Sequence, residues 1–482
     1  MEINYLKALP ANKTKIVCTI GPASESQAIM EQMLLAGMNV ARLNFSHGDF
    51  GGHQKVIRNL RAASRSTGRR LAILADLSGP KMRIGSLKQE PMDLKPGDSF
   101  TLTTQEILGD AERVSVSFAR LPRAVKPGDT LYLNDGFIQL DVIRVEGEDV
   151  HCKVVVGGEL RSRKGLNLPG IDLGITAFTD RDRECLRFAL EQGVDAVSQS
   201  FVETGEDITA VRKAVDEMRM STFIIAKIER AGALQHLDGI LDAADGIMIA
   251  RGDLGVEIPI EQMAVVQKHL MRQANLRGKP VITATQMLES MTTYRRPTRA
   301  EATDVANAVL DGTDCVMLSG ESAMGRYPVD AVAMLAKIAV AIEPHGPARR
   351  VRETLRKAAG PEDRVTPTDL IAWSVEAALE RVTPDLVIVP TRSGATARSI
   401  SRYRLPVWIL GVSSHESTCQ RLQFTYGVHP EHVPEHPGDW KGYARMWLQG
   451  QGVQGDMVLL TEGPSTRHPE ANIRMEIIDL RT

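Results

Sequence analysis

Residues 224–229 read Ile-Ile-Ala-Lys-Ile-Glu, an apolar run that ends by presenting a cation and a carboxylate two positions apart. Because side chains alternate across a β-strand, Lys227 and Glu229 lie on the same face. A carboxylate there can hold a divalent metal, and an ammonium can meet the charge that develops on oxygen in phosphoryl or enolate chemistry. A structural ion pair at a strand end explains the pair alone equally well, so the other strand ends decide.

Polar side chains follow several other apolar runs in the same way. They are Arg42, Asn44 and Ser46 after the second run, Asp76, Lys81 and Arg83 after the third, Gly252 and Asp253 after the sixth, and Thr285 after the seventh. The glycine lets backbone amides approach a ligand, and Asp253 can join Glu229 on a metal such as Mg²⁺. A single cluster of this kind could be a solvated rim or a helix cap, but several at one end of a sheet indicate a site.

The elements that must position these side chains follow a regular order. Apolar runs typical of strands alternate with amphipathic helical stretches, which is the pattern of a parallel sheet. The predicted strands are 15–20, 40–45, 71–77, 196–201, 223–228, 246–250, 280–284 and 314–318. The predicted helices include 27–36, 53–64, 180–192, 260–276 and 298–310. Eight β/α units indicate a TIM barrel with its active site at the carboxyl ends of the strands, and they disfavour an open doubly wound sheet.

Two regions depart from this repeat. Residues 82–178 separate the third and fourth strands and carry short β-like runs with turns, such as Lys-Pro-Gly-Asp at 95–98 and at 126–129. They predict a small β-barrel domain that grows from a βα loop on the catalytic face and acts as a lid. After a linker at 344–363, a C-terminal α/β region is predicted, with a helix at 369–381 and strands at 385–389, 407–412, 456–460 and 473–480.

A polar loop follows the first strand of the C-terminal region and opens a helix. Its members are Thr391, Arg392, Ser393, Gly394 and Thr396. Amides and hydroxyls at a helix N-terminus suit a phosphate group. An ordinary turn with a helix cap fits the same residues, and both interpretations stay open at this point.

The composition of the chain excludes several classes of protein. With 58 basic and 60 acidic residues and a net charge of −2, the chain has no overall field that would attract nucleic acid or an anionic membrane. The 5 cysteines are scattered singly, without a CxxC pair, and residues 1–15 contain no apolar signal segment. At 482 residues, we expect a soluble cytoplasmic protein of two or three domains.

A set of long, linked motifs resembles pyruvate kinase. The motifs are Arg-Leu-Asn-Phe-Ser-His-Gly at 42–48, Ala-Lys-Ile-Glu-Arg at 226–230, Ala-Arg-Gly-Asp-Leu-Gly-Val-Glu at 250–257, Thr-Ala-Thr-Gln-Met-Leu-Glu-Ser-Met at 283–291, and Pro-Thr-Arg-Ala-Glu at 297–301 with Asp-Val-Ala-Asn-Ala-Val-Leu-Asp-Gly at 304–312. The resemblance runs through essentially the whole chain. It implies a barrel at 1–81 and 179–344, an inserted β lid domain at 82–178 and a C-terminal α/β regulatory domain at 345–482.

The resemblance implies the glycolytic transfer of the phosphoryl group of phosphoenolpyruvate to ADP, giving ATP and an enolate that is protonated to pyruvate. Lys227 would stabilise charge on the phosphoryl group and on the enolate oxygen, and Arg42 and Arg83 would hold phosphates. Mg²⁺, with Mn²⁺ as a substitute, would be bound by Glu229 and Asp253.

The resemblance also implies a place for each end of the two substrates. The amides of Gly252 and Asp253 and the hydroxyl of Thr285 would receive the substrate carboxylate, and Thr285 would belong to the proton relay. The nucleotide would contact Asn44, Phe45, Ser46, His47, Arg83 and Lys164, with Asp135 as a further lid contact. For Lys164, a solvated lid charge is the alternative.

Regulation and assembly are expected from the same resemblance. A phosphorylated effector would bind at 391–396, and the protein would be a homotetramer. The segment 463–469 does not clearly reproduce the Gly-rich loop of members activated by fructose 1,6-bisphosphate, so the effector is not identified.

Lys81 stands where potassium-dependent members of this family carry Glu. The resemblance assigns the K⁺ pocket to Asn44, Ser46, Asp76 and the carbonyl of Leu77. A Lys that reaches into this pocket would supply one fixed positive charge, so we expect no requirement for K⁺. A solvated loop lysine is the alternative.

Two other classes of protein remain open from the sequence. A carbon–carbon lyase that acts on phosphoenolpyruvate or pyruvate would need the same carboxylates, but not an inserted lid or an ADP site. A non-catalytic protein that keeps the fold would be expected to have lost Lys227 or a metal carboxylate, and the chain keeps them.

Overall fold

The computed structural model describes residues 9–171, 173–346, 366–463 and 473–481, and a parallel barrel is its central element. The barrel strands are β1 (Lys15–Thr19), β2 (Val40–Asn44), β3 (Ala72–Leu77), β12 (Ala196–Gln199), β13 (Phe223–Ile228), β14 (Gly246–Ala250), β15 (Val281–Ala284) and β16 (Cys315–Leu318). Around the barrel the order is β1-β16-β15-β14-β13-β12-β3-β2, and β1 pairs with both β16 and β2. The predicted TIM barrel is therefore confirmed, and an open sheet is excluded.

Helices pack around the outside of the barrel. They are α1 (Gln27–Ala36), α2 (Phe50–Thr67), α4 (Asp180–Glu191), α5 (Gly205–Glu217), α6 (Ala231–Gln235), α7 (Leu237–Ala243), α8 (Arg251–Glu257), α9 (Met263–Leu276), α10 (Arg299–Asp311), α11 (Gly320–Ala323) and α12 (Pro328–Ile342). Local signals start several of them: the Ser26 side chain caps α1, the Asp49 side chain caps α2, and Thr298 with Glu301 forms a capping box on α10.

The eight predicted strands all form, and their ends lie close to the predicted ones. The largest difference is at β12, predicted to run to residue 201 but ending at Gln199. Phe201 has a φ of 58°, which lies in the left-handed region, so the chain cannot stay extended there. The strand therefore ends two residues earlier than predicted.

The inserted region forms a separate β domain with its own apolar core. Its elements are β4 (Met92–Leu94), β5 (Ser99–Thr103), β6 (Arg113–Ser115), α3 (Leu121–Ala124), β7 (Thr130–Leu133), β8 (Ile138–Glu146), β9 (Asp149–Val156), β10 (Gly158–Leu160) and β11 (Leu166–Asn167). A six-stranded sheet has the order β11-β7-β8-β9-β5-β6, and β10 pairs with β4. Isolated antiparallel bridges from Arg83 to Gly165 and from Ile84 to Val116 connect the two edges of the larger sheet.

The C-terminal region is α/β, as predicted. Its elements are α13 (Pro367–Leu379), β17 (Leu386–Pro390), α14 (Ala395–Ser401), β18 (Trp408–Ser413), α15 (Glu416–Arg421), β19 (Val428–His432), α16 (Trp440–Gly450), β20 (Met457–Glu462) and β21 (Arg474–Asp479). The sheet order is β19-β18-β17-β20-β21, with only β21 antiparallel among the described strands. Most of the divergent segment expected at 463–469 lies outside the described residues.

The C-terminal region contacts the amino ends of the barrel strands. The Phe424 ring is fully buried in the apolar cluster inside the barrel and stacks on Phe223, with 5.6 Å between ring centroids. Beside it, Arg404 Nη1 donates to Asp314 Oδ1 at 2.8 Å, and both side chains are buried. The end of the barrel opposite the strand carboxyl ends is therefore closed by another domain.

In the part of the chain that the structure describes, every helix is too short or too polar to cross a bilayer.

Candidate active site

A cavity of about 80 Å³ lies at the carboxyl ends of the barrel strands. Eight of the predicted site residues line it: Arg42, Asn44, Ser46, Lys81, Lys227, Glu229, Asp253 and Thr285. They come from five different strand ends, which only the barrel brings together. We call this cavity the barrel pocket.

Lys227, on β13, is the buried cation of the barrel pocket. Its Nζ lies 2.7 Å from Glu229 Oε1 and 3.4 Å from Asp76 Oδ2, and it donates to Ser200 Oγ at 2.7 Å. Burial opposes the positive charge, but the carboxylates of Asp76 and Glu229 outweigh it and raise the pKa of Lys227 above its ordinary value. The ammonium therefore stays charged although only 8% of the residue is exposed.

Arg42, on β2, is fixed by the carboxylate of Asp76. Arg42 Nε donates to Asp76 Oδ2 at 2.8 Å, Nη2 donates to the same oxygen, and Nη1 donates to Thr19 Oγ1 at 2.9 Å. Ser198 Oγ donates to the other oxygen of Asp76 at 2.7 Å. Burial favours the neutral acid, but Lys227 and Arg42 hold the pKa of Asp76 below its ordinary value. Asp76 is thus an anion that holds two cations in place.

Glu229 and Asp253 bring two carboxyl groups to one side of the barrel pocket. The Phe201 N–H donates to Glu229 Oε2 at 2.8 Å, while Lys227 engages the other oxygen. Burial, followed by the charge of Glu229, raises the pKa of Asp253 to about 6. Repulsion of this kind requires the two carboxyl groups to be close, and close carboxylates suit a divalent cation. Among the described residues, no larger cluster of His, Cys, Asp and Glu side chains could hold a metal ion.

Thr285 presents its hydroxyl to the barrel pocket from a strained turn after β15. Its φ is 69° and that of Gln286 is 53°. For a β-branched residue this conformation costs about 1–3 kcal/mol, and such strain persists only where neighbouring contacts support it. Thr285 Oγ1 accepts the Gly252 N–H at 2.7 Å and donates to the Ala284 carbonyl at 2.6 Å. The hydroxyl is therefore held against the first turn of α8.

Lys81 lies among the polar residues of the barrel pocket. Ser46 Oγ donates to Ser78 Oγ at 3.0 Å on the same wall. Lys81 is an exposed residue, but partial burial of its side chain lowers its pKa, the nearby charge of Asp253 acts in the opposite direction, and Arg83 lowers it further. Asp76 and Leu77, which the sequence assigned to the same cation pocket, are both buried in β3. The Lys81 ammonium is thus close enough to Glu229 and Asp253 to interact electrostatically with them.

The predicted nucleotide residues occupy different depths. Asn44 lines the barrel pocket, and its side chain accepts the Ser46 N–H at 3.1 Å. Burial and then the charges of Lys81 and Arg83 lower the pKa of His47, which places His47 beside those cations. The Phe45 ring instead packs in the core and stacks on His53 with 4.3 Å between centroids. The Phe45 side chain is therefore not available to a ligand.

The inserted domain lies near the barrel pocket, although none of its described residues, Arg83, Asp135 and Lys164 included, lines it. Arg83 Nη1 donates to the Arg163 carbonyl at 2.8 Å, next to Lys164, whose carbonyl accepts the Ile84 N–H at 2.9 Å. At the β7–β8 turn, Asp135 contributes to the raised pKa of Asp253. The same turn contacts α8, since a Cβ added to Gly136 would lie 3.2 Å from Val256 Cγ2. The lid expected from the sequence therefore adjoins the site.

The sequence analysis missed three residues at the end of β12. Ser198 binds Asp76, Ser200 binds Lys227, and the Phe201 amide binds Glu229. A usable signal was present, because the run 196–201 carries polar residues at positions 198–200, inside a predicted buried strand. Extending the search for polar strand ends to this fourth run would have found them.

The loop at 391–396 borders a larger cavity, of about 930 Å³, in the C-terminal domain. Thr391, Arg392, Ser393 and Thr396 line it, together with His415 and His436. Thr391 Oγ1 accepts the Gly394 N–H at 2.9 Å, and Gly394 has a φ of 82° as the chain enters α14. Despite its smaller size, the barrel pocket is the candidate active site, because the buried lysine and the paired carboxylates converge there.

Comparisons with known proteins agree with this geometry. Residues 11–332 match the family model for the pyruvate kinase barrel domain, and residues 369–475 match that for the pyruvate kinase alpha/beta domain. The chain is 48% identical to a pyruvate kinase from Thermococcus litoralis, over 94% of this chain and 96% of that protein. It is 43% identical to one from Geobacillus stearothermophilus, over 88% of this chain and 72% of that protein. A crystal structure of a pyruvate kinase from Cryptosporidium parvum superposes with a TM-score of 0.91 and 34% identity, covering 100% of both chains.

Proposed function

Because the chain belongs to the pyruvate kinase family, we propose that it transfers the phosphoryl group of phosphoenolpyruvate to ADP, giving ATP and pyruvate. The observation that supports this most is the convergence of Lys227 with Glu229 and Asp253 in the barrel pocket. A coupled assay for ADP-dependent pyruvate formation from phosphoenolpyruvate tests it. Absence of pyruvate formation in the presence of Mg²⁺ would contradict the proposal.

Lys227 is the residue that meets developing charge in this reaction. As the phosphoryl group leaves, negative charge builds on its oxygens and on the enolate oxygen. A buried ammonium stabilises that charge more strongly than a solvated one, because little water screens it. Asp76 holds Lys227 and Arg42 in position, so that both cations face the phosphoryl group without reorganisation.

Glu229 and Asp253 are the residues that would hold Mg²⁺, with Mn²⁺ as a substitute. Two adjacent carboxylates fit a hard cation that keeps its other positions for substrate oxygens and water. When bound, the ion supplies charge neutralisation for the transferring phosphoryl group. Asp253 must give up its proton to become a ligand, and its pKa of about 6 sets where that occurs.

The carboxylate end of phosphoenolpyruvate would be received beside Thr285. Support for this comes from Thr285, which lines the barrel pocket and whose hydroxyl accepts the Gly252 N–H at 2.7 Å. The hydroxyl can also pass a proton to the enolate carbon through a relay, although its own acidity is too low for it to act alone. Arg42, Arg83 and Lys164 would hold phosphate groups, and Asn44, Ser46 and His47 would border the nucleotide.

Removing either carboxylate of the pair should weaken metal binding. We expect Glu229→Gln and Asp253→Asn to raise the Mg²⁺ concentration needed for half-maximal activity by roughly 10²-fold or more, because even indirect metal partners are worth 10- to 100-fold. Glu261→Gln, at an exposed position shortly after α8, is the matched control and should leave the Mg²⁺ titration unchanged. Unaltered Mg²⁺ dependence in both site variants would remove the metal assignment.

The same titration should depend on pH. Because the pKa of Asp253 is raised to about 6, this side chain is neutral at lower pH and a proton competes with the metal. The apparent Mg²⁺ affinity of the unmodified enzyme should therefore fall as the pH drops through about 6. Asp253→Asn should lose this part of the pH dependence, which Mg²⁺ titrations at several pH values would show.

We propose further that the protein is a cytoplasmic homotetramer, divided at 1–81, 82–178, 179–344 and 345–482 as the resemblance implies. The resemblance supports this assembly, and the described residues include large apolar side chains about 70% exposed that an interface could cover. They are Ile260 at 71%, Met324 at 70%, Val265 and Phe137 at 69%, and Tyr294 at 68%. Light scattering gives the mass that tests this proposal.

We also propose that the cavity in the C-terminal domain binds a phosphorylated effector, a sugar phosphate or a nucleotide, and activates the enzyme from a distance. The hydroxyls of Thr391, Ser393 and Thr396, the guanidinium of Arg392 and the turn at Gly394 support it, because they offer donors to an anion at the start of α14. Activation requires that the effector bind the active state more tightly than the inactive one.

A negative charge in this loop should abolish activation. In Ser393→Glu the carboxylate should repel a phosphate, so that a panel of sugar phosphates and nucleotides no longer shifts the phosphoenolpyruvate saturation curve, while basal turnover is kept. Thr383→Glu adds the same charge in an exposed loop before β17, at the other end of that strand, and should respond as the unmodified enzyme does. If none of the compounds alters the curve of the unmodified enzyme, the loop is only a turn.

Independence from K⁺ is the remaining part of the proposal. It is supported by Lys81, which lies in the barrel pocket with Asn44 and Ser46 and close to the paired carboxylates. A tethered ammonium there supplies the monovalent charge without binding an ion from solution.

A further inference from the structure

Thr285 is held in its strained conformation by a side chain that does not line the barrel pocket, that of Arg251. Arg251 Nη2 donates to the Thr285 carbonyl at 2.8 Å, and Nε donates to the Ala284 carbonyl at 3.2 Å. These two carbonyls flank the backbone of the residue whose φ is 69°. The guanidinium therefore binds both sides of the strained position.

The Arg251 side chain is itself fixed from the opposite direction. Its Nη2 lies 2.7 Å from Asp304 Oδ2, its Nη1 donates to Asp304 Oδ1 at 2.8 Å, and only 12% of the side chain is exposed. A bidentate pair of this kind leaves the guanidinium little rotational freedom. Asp304 belongs to α10, so the turn after β15 is anchored to a helix on the outside of the barrel.

Arg251 is also the first residue of α8 and directly precedes Gly252, whose amide binds the Thr285 hydroxyl. The backbone of this segment thus holds the Thr285 side chain, while the Arg251 side chain holds the Thr285 backbone. Left-handed Thr is costly, and without the guanidinium the Thr285 carbonyl would lose its Arg251 donor, while the Ala284 carbonyl would keep only its bond from the Thr285 hydroxyl. A relaxed turn would move the hydroxyl away from the Gly252 amide.

We propose that Arg251 is a positioning residue that holds Thr285 in its productive geometry, with Asp304 as its anchor. The inference rests on the proposed role of Thr285 in receiving the substrate carboxylate. It predicts that loss of Arg251 lowers kcat/KM for phosphoenolpyruvate, which would bind at Thr285. The KM for ADP should be nearly unchanged, because ADP is placed on the other side of the pocket.

We expect Arg251→Gln to lower kcat/KM for phosphoenolpyruvate by about 10²-fold, since displacement of a reacting group by about 1 Å has costs of that order. The KM for ADP should change less than about threefold, within what non-interacting sites show. A lysine at this position can reach one of the two carbonyls but not both. The kcat/KM of Arg251→Lys for phosphoenolpyruvate should therefore lie between those of the unmodified enzyme and Arg251→Gln. Arg183→Gln breaks an exposed ion pair with Glu217 on the barrel surface and should leave both parameters unchanged.

A double-mutant cycle with Thr285→Ala separates positioning from a general structural role. If Arg251 acts through the Thr285 hydroxyl, adding Arg251→Gln to Thr285→Ala should cost less than about threefold more. A full additional 10²-fold loss in that background, or an equal rise in both KM values, would overturn the proposal. Should Arg251→Gln fail to fold, Asp304→Asn and Arg251→Lys decide the question by the same cycle. An inactive unmodified enzyme would contradict the proposed function instead, so the two failures are distinguishable.

Discussion

Replacing Lys227 by Met should reduce kcat by roughly 10³-fold or more while leaving much of the phosphoenolpyruvate affinity in place. The ammonium matters most when negative charge has moved onto the transferring phosphoryl group and the enolate oxygen. Removal of one preorganised charge or donor from a dry site costs 10²- to 10³-fold, and cationic groups at phosphoryl transfer reach 10³- to 10⁵-fold. Steady-state measurement of kcat and KM at saturating Mg²⁺ would show the loss on kcat.

The structure adds a second consequence of that substitution. Lys227 stands between Asp76 and Glu229, so its loss leaves buried carboxylates with less compensating charge. We expect the variant to be less stable without Mg²⁺ and to recover part of that stability when Mg²⁺ is added, as thermal unfolding would show. Lys213→Met, at an exposed position of α5, is the matched control. Near-normal kcat in Lys227→Met would remove the central catalytic assignment.

Full activity in Na⁺ or tetramethylammonium buffers without K⁺ is the second large effect that we expect, and Lys81→Glu should abolish it. In our proposal Lys81 supplies a positive charge near Asp253, so its reversal places a third carboxylate near Glu229 and Asp253. Without K⁺ the activity of the variant should fall by about 10²-fold, the usual cost of losing one electrostatic contact at the transition state. Added K⁺ should restore most of it, because the new carboxylate makes a cation site with Asn44 and Ser46.

The comparison that decides this point is a K⁺ titration of three proteins. The activity of the unmodified enzyme should not change with K⁺ concentration, and that of Lys81→Glu should rise with it. Lys95→Glu, a substitution at an exposed position of the inserted domain, should behave as the unmodified enzyme does. Strong stimulation of the unmodified enzyme by K⁺ would contradict the role given to Lys81 and leave the kinase proposal standing. In that case Lys81 is a solvated loop lysine.

Much of the fold follows from periodicity, and the reason is local. A barrel strand such as Phe223–Ile228 is apolar except for Lys227 near its end, and Glu229 follows it, so its limits can be predicted from composition alone. Turn residues between short β-like runs indicate the inserted domain, and a second series of apolar runs indicates the C-terminal sheet. The polar strand ends predicted most of the pocket, because every parallel strand presents its carboxyl end on the same side.

What the sequence did not predict depends on contacts between distant residues. Arg42 was expected to hold phosphate, but most of its donors engage Asp76 and Thr19, which lie on neighbouring strands. That arrangement requires the register in which Asn44 faces Asp76. The left-handed conformations of Phe201 and Thr285 are likewise invisible in the sequence, since neither residue type favours them. Tertiary contacts impose both.

The Phe424 ring inside the barrel limits how this protein can be divided or recombined. A barrel cut free of its C-terminal domain would lose a ring from its interior, and Asp314 would lose the Arg404 guanidinium and the Tyr426 amide that it now binds. The C-terminal domain therefore cannot be exchanged without loss of these contacts. A chimera that replaces it with a relative's domain must keep both an aromatic ring at the position of Phe424 and a guanidinium at the position of Arg404. Exchange of domains during evolution would face the same constraint.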